Sequence, residues 1–338
     1  MINSFELKNF GPIHHLKSEN LGHINLVIGG NGTGKTILLK ALYSAIRTLE
    51  DYRRGNEPRN ASEILAEKLY WTFETEKIGD LVSKGADEPL SFKLNFDGQE
   101  FCYGFGKDTT KIIQTLENHV PSRSSNSIFL PTKEVLSLYH IILESRELSK
   151  TFGFDDTYLD LARALRQPLK GGKNYQRFAA SRKNLNEILD GKVEYDEKAG
   201  RWQFKKGNQK FPIGVTAEGI KKISILDTLL GNRYLDPDSV IFIDEPESAL
   251  HPAAISKFLD IIAMLAECGI QFFMASHSYF VIKKLFLIAQ QKGNLSIPII
   301  SAEDDHWVTE NLREGLPDNS IIDESIQLYK EEVELALQ

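Results

Sequence analysis

Gly29-Gly30-Asn31-Gly32-Thr33-Gly34-Lys35-Thr36 stands between an apolar run, Ile24-Asn25-Leu26-Val27-Ile28, and a segment that opens with Ile37-Leu38-Leu39. Counted from Gly29, the stretch fits G-x-x-x-x-G-K-[ST] at every fixed position. Its glycines let the backbone curl closely enough to turn N–H groups onto phosphate oxygens, and the start of the following helix adds partial positive charge. Lys35 is spaced to reach β- and γ-phosphates, and Thr36 to ligate Mg²⁺. A strand before and a helix after place this P-loop at the carboxyl end of a strand, where α/β sheets bind ligands. Gly29, Gly30, Asn31, Gly32, Thr33, Gly34, Lys35 and Thr36 are therefore the candidate nucleotide-binding set.

On the amino-terminal side, Ser4 to Phe10 reads as a strand, Gly11-Pro12 as a turn, and the residues up to 23 as less regular chain. On the other side, Leu38, Leu39, Leu42, Ala45, Ile46 and Leu49 recur at helical spacing within residues 37–54, ahead of Gly55. Ile64 to Thr72 also reads as helix. Leu90, Phe92, Leu94 and Phe96 alternate before Asp97-Gly98, which predicts a hairpin over residues 90–105 and an antiparallel flank. Ser127 to Glu134 reads as a strand running into a helix that continues through Leu143. Residues 134–190 read as mostly helical, interrupted at Gly171-Gly172, and a second hairpin crosses Gly200. The expected organisation is a first ATP-binding part over 1–130, a helical lobe with a hairpin over 131–210, and a second ATP-binding part over 211–338.

That last part carries two more strand ends. Ser239-Val240-Ile241-Phe242-Ile243-Asp244-Glu245 is an apolar strand ending in two carboxylates, which are costly there without a cation or donors. Asp244 can share Mg²⁺ with Thr36, and Glu245 can orient or deprotonate a water in line with a γ-phosphate. Ile270 to Ala275 reads as a further core strand that delivers Ser276-His277-Ser278 to the same face, where His277 can donate to the γ-phosphate. A strand is expected at 295–300, after a helix at 279–291. An amphipathic helix with Ile322, Ile326, Leu328, Val333 and Leu335 follows.

Composition bounds the alternatives. The chain has 338 residues, of which 41% are hydrophobic and 26% charged, as in an ordinary soluble protein. Its net charge of −7 gives no global attraction to nucleic acid or an anionic membrane. Cys102 and Cys268 lack metal-ligand spacing and fit a reducing cytoplasm. No apolar window reaches the length of a membrane span. Between Lys170 and Lys183 five basic residues, Lys170, Lys173, Arg177, Arg182 and Lys183, interleave with Tyr175 and Phe178; this reads as a solvated face before it reads as a DNA contact. Glu303, Asp304 and Asp305 read as a solvated loop.

The order of motifs, from the P-loop through Thr216-Ala217-Glu218-Gly219-Ile220-Lys221-Lys222 and Asp244-Glu245-Pro246-Glu247-Ser248-Ala249-Leu250-His251-Pro252 to Ser276-His277-Ser278, resembles the ABC-type ATPases of the RecF/SMC group. Within it the chain most resembles stand-alone ATPases akin to the overcoming-lysogenization-defect family, without the Toprim nuclease domain that members often carry. The resemblance implies an α/β P-loop NTPase fold: an ABC-type ATPase head with an antiparallel β flank and a mostly helical second lobe. It also implies that Lys35, Glu245 and His277 are catalytic, that Thr36 and Asp244 hold Mg²⁺, and that Ala217-Glu218-Gly219 is a signature acting across a homodimer or larger homo-oligomer on the partner's ATP. The implied role is an ATPase switch controlling a separately encoded effector, such as a nuclease, in prokaryotic antiphage defence. The alternatives are a DNA-gripping repair or chromosome-maintenance ATPase and a nucleotide-gated scaffold that barely hydrolyses ATP. The chain departs from the pattern at Ala217, where a serine is usual, and at Ser248 to His251, which lacks an aspartate. Pro131-Thr132-Lys133 stands where a glutamine-bearing loop is expected.

Overall fold

The computed structural model describes residues 1–55, 59–167, 176–293, 295–303 and 306–337. The chain opens with β1 (Ile2–Phe10) and β2 (Ile13–Ser18), an antiparallel hairpin across Gly11-Pro12. The sequence shows β2 poorly because it is an edge strand: Ile13 and Leu16 are buried while His14, His15 and Lys17 face solvent. β3 (Ile24–Gly29) is buried throughout. α1 (Lys35–Asp51) stops short of residue 54, because Tyr52 is extended and Arg53 takes a φ of 57°. α2 (Ala61–Phe73) starts at Asn60, whose side chain accepts from the Glu63 N–H at 2.8 Å. β4 (Leu90–Phe96) and β5 (Gln99–Phe105) form the hairpin that the alternation predicts, and β6 (Thr115–Asn118) extends it into the sheet β2-β1-β4-β5-β6.

The next stretch corrects one expectation. β7 (Ile128–Leu130) does not run into a helix at Glu134: α3 (Tyr139–Leu143) begins five residues later and widens into a π turn, Glu144–Leu148. The Glu134 carboxylate instead accepts the Ser137 N–H, a local bond that competes with helix. α4 (Asp156–Leu165) and α5 (Ala179–Leu189) follow; Gly171-Gly172 lies outside the described residues. β8 (Lys192–Asp196) and β9 (Arg201–Lys206) form the second hairpin, joined by β10 (Gln209–Pro212), whose four exposed residues give no alternation to read. α6 (Glu218–Gly231), β11 (Val240–Asp244), α7 (Pro252–Glu267), β12 (Gln271–Ser276) and α8 (Tyr279–Gln291) complete most of the second half. β13 (Pro298–Glu303) starts later than expected, β14 (His306–Asn311) pairs with it, and α9 (Ser320–Ala336) closes the chain.

The largest sheet has the order β14-β13-β3-β12-β11-β7, parallel except for β14. Successive residues of its strands point to opposite faces. Leu26, Ile28, Ile241, Ile243, Phe272 and Met274 join a core with residues of α4 to α8. Val27, Phe242, Phe273 and Ala275 join another with α1 and the antiparallel sheet. The protein is thus mixed α/β, a central parallel sheet with an antiparallel flank on one face and helices on the other. Because β3, β12, β11 and β7 run in one direction, their carboxyl ends share one edge.

Candidate functional site

β3 feeds the P-loop from that edge. Gly29, Gly32 and Gly34 take φ values of 148°, 82° and 99°, a region that side chains rarely enter. A Cβ on Gly29 would stand 2.7 Å from the Ala302 carbonyl oxygen. The Thr33 hydroxyl donates to the Gly30 carbonyl at 3.0 Å, and the Lys35 ammonium donates to the carbonyls of Gly29 and Gly30 at 2.8 and 2.7 Å. Among the described residues, the N–H groups from Asn31 to Thr36 donate to no protein acceptor, and the first helical bond of α1 is Leu38 N–H to the Gly34 carbonyl. The loop is therefore a concave set of free donors at a helix start, the arrangement that suits phosphate. Partial burial draws the Lys35 ammonium below its ordinary range, against the pull of Asp244, Glu245 and Glu247.

The two acids arrive on β11, next to β12. The Thr36 hydroxyl donates to Asp244 Oδ2 at 2.9 Å. Burial pushes the Asp244 carboxyl up, as does the Glu245 charge, while hydrogen bonds from Thr36 and Thr132 oppose the rise. Glu245 turns out of the strand with a φ of 50°. Its N–H donates to the Ala275 carbonyl at 2.9 Å, and its carbonyl accepts from the Lys222 ammonium. His277 Nδ1 lies 3.5 Å from Glu245 Oε1. The Ser276 hydroxyl donates to Glu247 Oε1 at 2.7 Å, whereas Glu247 Oε2 is buried with no protein partner. Hydroxyl and carboxylate oxygens are a hard donor set that fits Mg²⁺. Among the described residues no group of three or more His, Cys, Asp or Glu side chains is arranged to hold a metal ion, so phosphate oxygens would complete such a shell.

The structure thus brings Lys35, Thr36, Asp244, Glu245 and His277 together. It does not bring the Ala217-Glu218-Gly219 segment to the same chain's P-loop through any hydrogen bond among the described residues. Ala217 and Glu218 are exposed at the start of α6, and Lys221 binds Glu218 Oε1 at 2.8 Å. Gly219 has a packing reason of its own, since a Cβ there would meet Leu250 Cδ2 at 2.7 Å. Thr132, in the loop after β7, stands near Asp244 and helps to hold its carboxyl down.

Lys222 has no motif to announce it; its only sequence signal is a place one turn beyond Glu218 on α6. Burial pushes its ammonium down to about 8, against the attraction of Glu247, Asp244 and Glu245. Of the basic stretch, Arg182 pairs with Asp227 at 3.0 Å and Phe178 is buried, while Lys170, Lys173 and Tyr175 lie outside the described residues. Glu303 ends β13 and accepts the Ser320 N–H at 3.0 Å; Asp304 and Asp305 lie outside the described residues. Among the described residues no helix is long and apolar enough to cross a membrane.

Comparison with known proteins bears on the family and the fold. The sequence model of a family described as "AAA domain, putative AbiEii toxin, Type IV TA system" matches residues 24–283. A Helicobacter pylori protein named ATP/GTP phosphatase is 23% identical, over 86% of this chain and 89% of its own length. An uncharacterized Methanocaldococcus jannaschii protein, MJECL10, is 34% identical over 30% of this chain and 44% of its own length. Among solved structures, an SMC head bound to the C-winged helix domain of ScpA is similar with a TM-score of 0.58 at 14% identity, covering 93% of this chain and 98% of that one. An SMC head domain with an extended coiled coil, bound to the C-terminal domain of ScpA derived from Pyrococcus furiosus, gives 0.53 at 12% identity and covers 98% of both chains. The fold is that of SMC heads.

Proposed function

The chain belongs to the AbiEii-type AAA-domain family, and from that premise we propose that it binds ATP with Mg²⁺, hydrolyses it, and uses the cycle as a switch. The observation that carries this reading is the single sheet edge that gathers Lys35, Thr36, Asp244, Glu245 and His277. Free N–H groups and Lys35 hold the β- and γ-phosphates. Thr36 and Asp244 hold Mg²⁺, which when bound neutralises phosphate charge. Glu245 takes the proton of the attacking water, and its peptide, fixed at both ends by Ala275 and Lys222, keeps the carboxylate in place. His277 donates to the γ-phosphate and passes its presence or loss to Glu245, its neighbour at 3.5 Å. The name of the Helicobacter relative supports phosphate hydrolysis.

In the same reading, Ala217-Glu218-Gly219, exposed on its own chain, meets the ATP of a second copy, so that ATP clamps a homodimer or larger homo-oligomer and hydrolysis releases it. A partner protein then reads the clamped state. The likeness to SMC heads solved with ScpA bound supports a protein partner, and the resemblance to the lysogenization-defect branch supports a separately encoded effector, such as a nuclease, in cytoplasmic antiphage defence. Two variants test the catalytic part. Glu245→Gln should retain ATP affinity while slowing hydrolysis about a hundredfold, the scale of a lost general base. Lys35→Ala should weaken ATP binding itself. Undiminished hydrolysis in the first, or unchanged affinity in the second, contradicts the assignment.

A further inference from the structure

α9 stands apart from the rest of the chain in how little of it is covered. It is anchored at its start, where the Asn319 side chain accepts the N–H groups of Ile321 and Ile322, and Ile321 and Ile322 join the core. Beyond that first turn its side chains face solvent, Ile326 at 47%, Tyr329 at 66% and Val333 at 38% exposure. Ile322, Ile326, Tyr329, Val333 and Ala336 are spaced four, three, four and three residues apart, which lines them up as one apolar seam of the coiled-coil type; Leu328 and Leu335, expected on the same face, are exposed at 57% and 71% on another side of the helix. An apolar stripe of this length open to water suits an interaction surface.

The charges of α9 identify the partner's chemistry. Asp323, Glu324, Glu331, Glu332 and Glu334 face one cation, Lys330, leaving the helix at −4. Three of those acids sit near its carboxyl end, where the helix dipole already places negative charge and where no basic residue of the helix answers it. A second copy of α9 laid along this one would bring −4 against −4, and an anionic membrane is repelled in the same way. We propose that α9 is a docking helix for a different polypeptide, which lays a basic amphipathic helix along the seam, apolar residues against Ile326, Tyr329 and Val333 and Lys or Arg against the flanking acids. The proposal deepens the effector part of the function above and rests on that reading only for the partner's role.

The test uses the full chain and two synthetic helical peptides of about twenty residues. Both carry leucine at the seam positions; one is flanked by Lys and Arg, the other by Glu. The basic peptide should bind and the acidic one should not, and raising salt from about 50 to about 300 mM should weaken binding several-fold. The triple variant Ile326→Gln, Tyr329→Gln, Val333→Gln removes the seam without changing charge and should cost at least about tenfold in affinity. Glu331→Lys, Glu332→Lys, Glu334→Lys turns −4 into +2 and should reverse the preference. Circular dichroism and ATP hydrolysis measured on the same samples should be unchanged in both variants, which separates a failure at α9 from a failure of the ATPase reading. Equal binding of the two peptides, or basic binding that survives the glutamine variant, overturns the proposal. Self-association that the glutamine variant abolishes also overturns it, and makes a second copy the occupant.

Discussion

α1 joins two clusters of charge that differ in what surrounds them. Its first residues, Lys35 and Thr36, belong to the sheet edge with Asp244, Glu245 and His277. Further along, Lys40, Tyr43, Arg47 and Glu50 enter a buried network. Lys40 pairs with Asp155 at 2.6 Å, the Tyr43 hydroxyl donates to Asp160 at 2.7 Å, and Arg47 pairs with Glu50 at 2.7 Å. Lys68 bridges Asp160 and Asp156 at 2.9 and 3.1 Å, and Arg146 closes on Asp156 at 2.6 Å. In the network each of these carboxylates faces a cation, and the cluster ties α1 and α2 to α4. At the edge, loop donors are unused and Glu245 holds a left-handed backbone. Charges that satisfy one another build architecture; charges left open to a third party are available for chemistry.

The largest effect that separates the two clusters is expected in the network. Asp160→Ala leaves Arg47 and Lys68 buried without their shared carboxylate and should cost about 3–5 kcal/mol, read by denaturant unfolding. Burial opposes ionisation of Asp160, yet Lys68 and Arg47 override it and hold the carboxyl well below the usual range. A carboxyl lowered in the folded state contributes stability above its unfolded value of about 3.9 and gives it up as pH falls through the folded value, so the variant and parent should converge in strong acid. Next comes Glu245→Gln, whose roughly hundredfold loss of turnover is about 2.7 kcal/mol of barrier and should leave the unfolding midpoint in place.

Lys222→Met tests a residue that stands between the two kinds. It should lower the hydrolysis rate about tenfold, or about 1.4 kcal/mol, close to the lower end for one charged hydrogen bond, with ATP affinity kept and partial rescue by Lys222→Arg. An equal loss in both variants, accompanied by a lower unfolding midpoint, would assign Lys222 to packing instead. The smallest change is Asn60→Ala, outside both clusters: removing the cap of α2 should cost about 1 kcal/mol of stability and nothing in turnover.

The sequence made the open cluster visible and hid the closed one for the same reason. Phosphate-binding loops and strand-end acids need particular residues at fixed spacing, so Gly29 to Thr36 and Asp244-Glu245 could be placed on strand ends before any coordinates. Buried ion pairs need only opposite charges that meet in space, and Arg47, Lys68 and Asp160 come from three helices with no spacing to mark them. Edge strands were lost for a related reason. β2, β10 and β14 carry too few inward apolar residues to alternate, and the helix expected at Glu134 yielded to a carboxylate that bonds its own backbone.

The most direct test of the central claim is the mass of the Glu245→Gln protein by light scattering, with and without ATP and Mg²⁺, alongside Lys35→Ala. ATP should double the mass of Glu245→Gln, or step it to a larger closed oligomer, and should leave that of Lys35→Ala unchanged. A mass that ignores ATP in both proteins would contradict an ATP-clamped switch and leave Ala217-Glu218-Gly219 without its trans role.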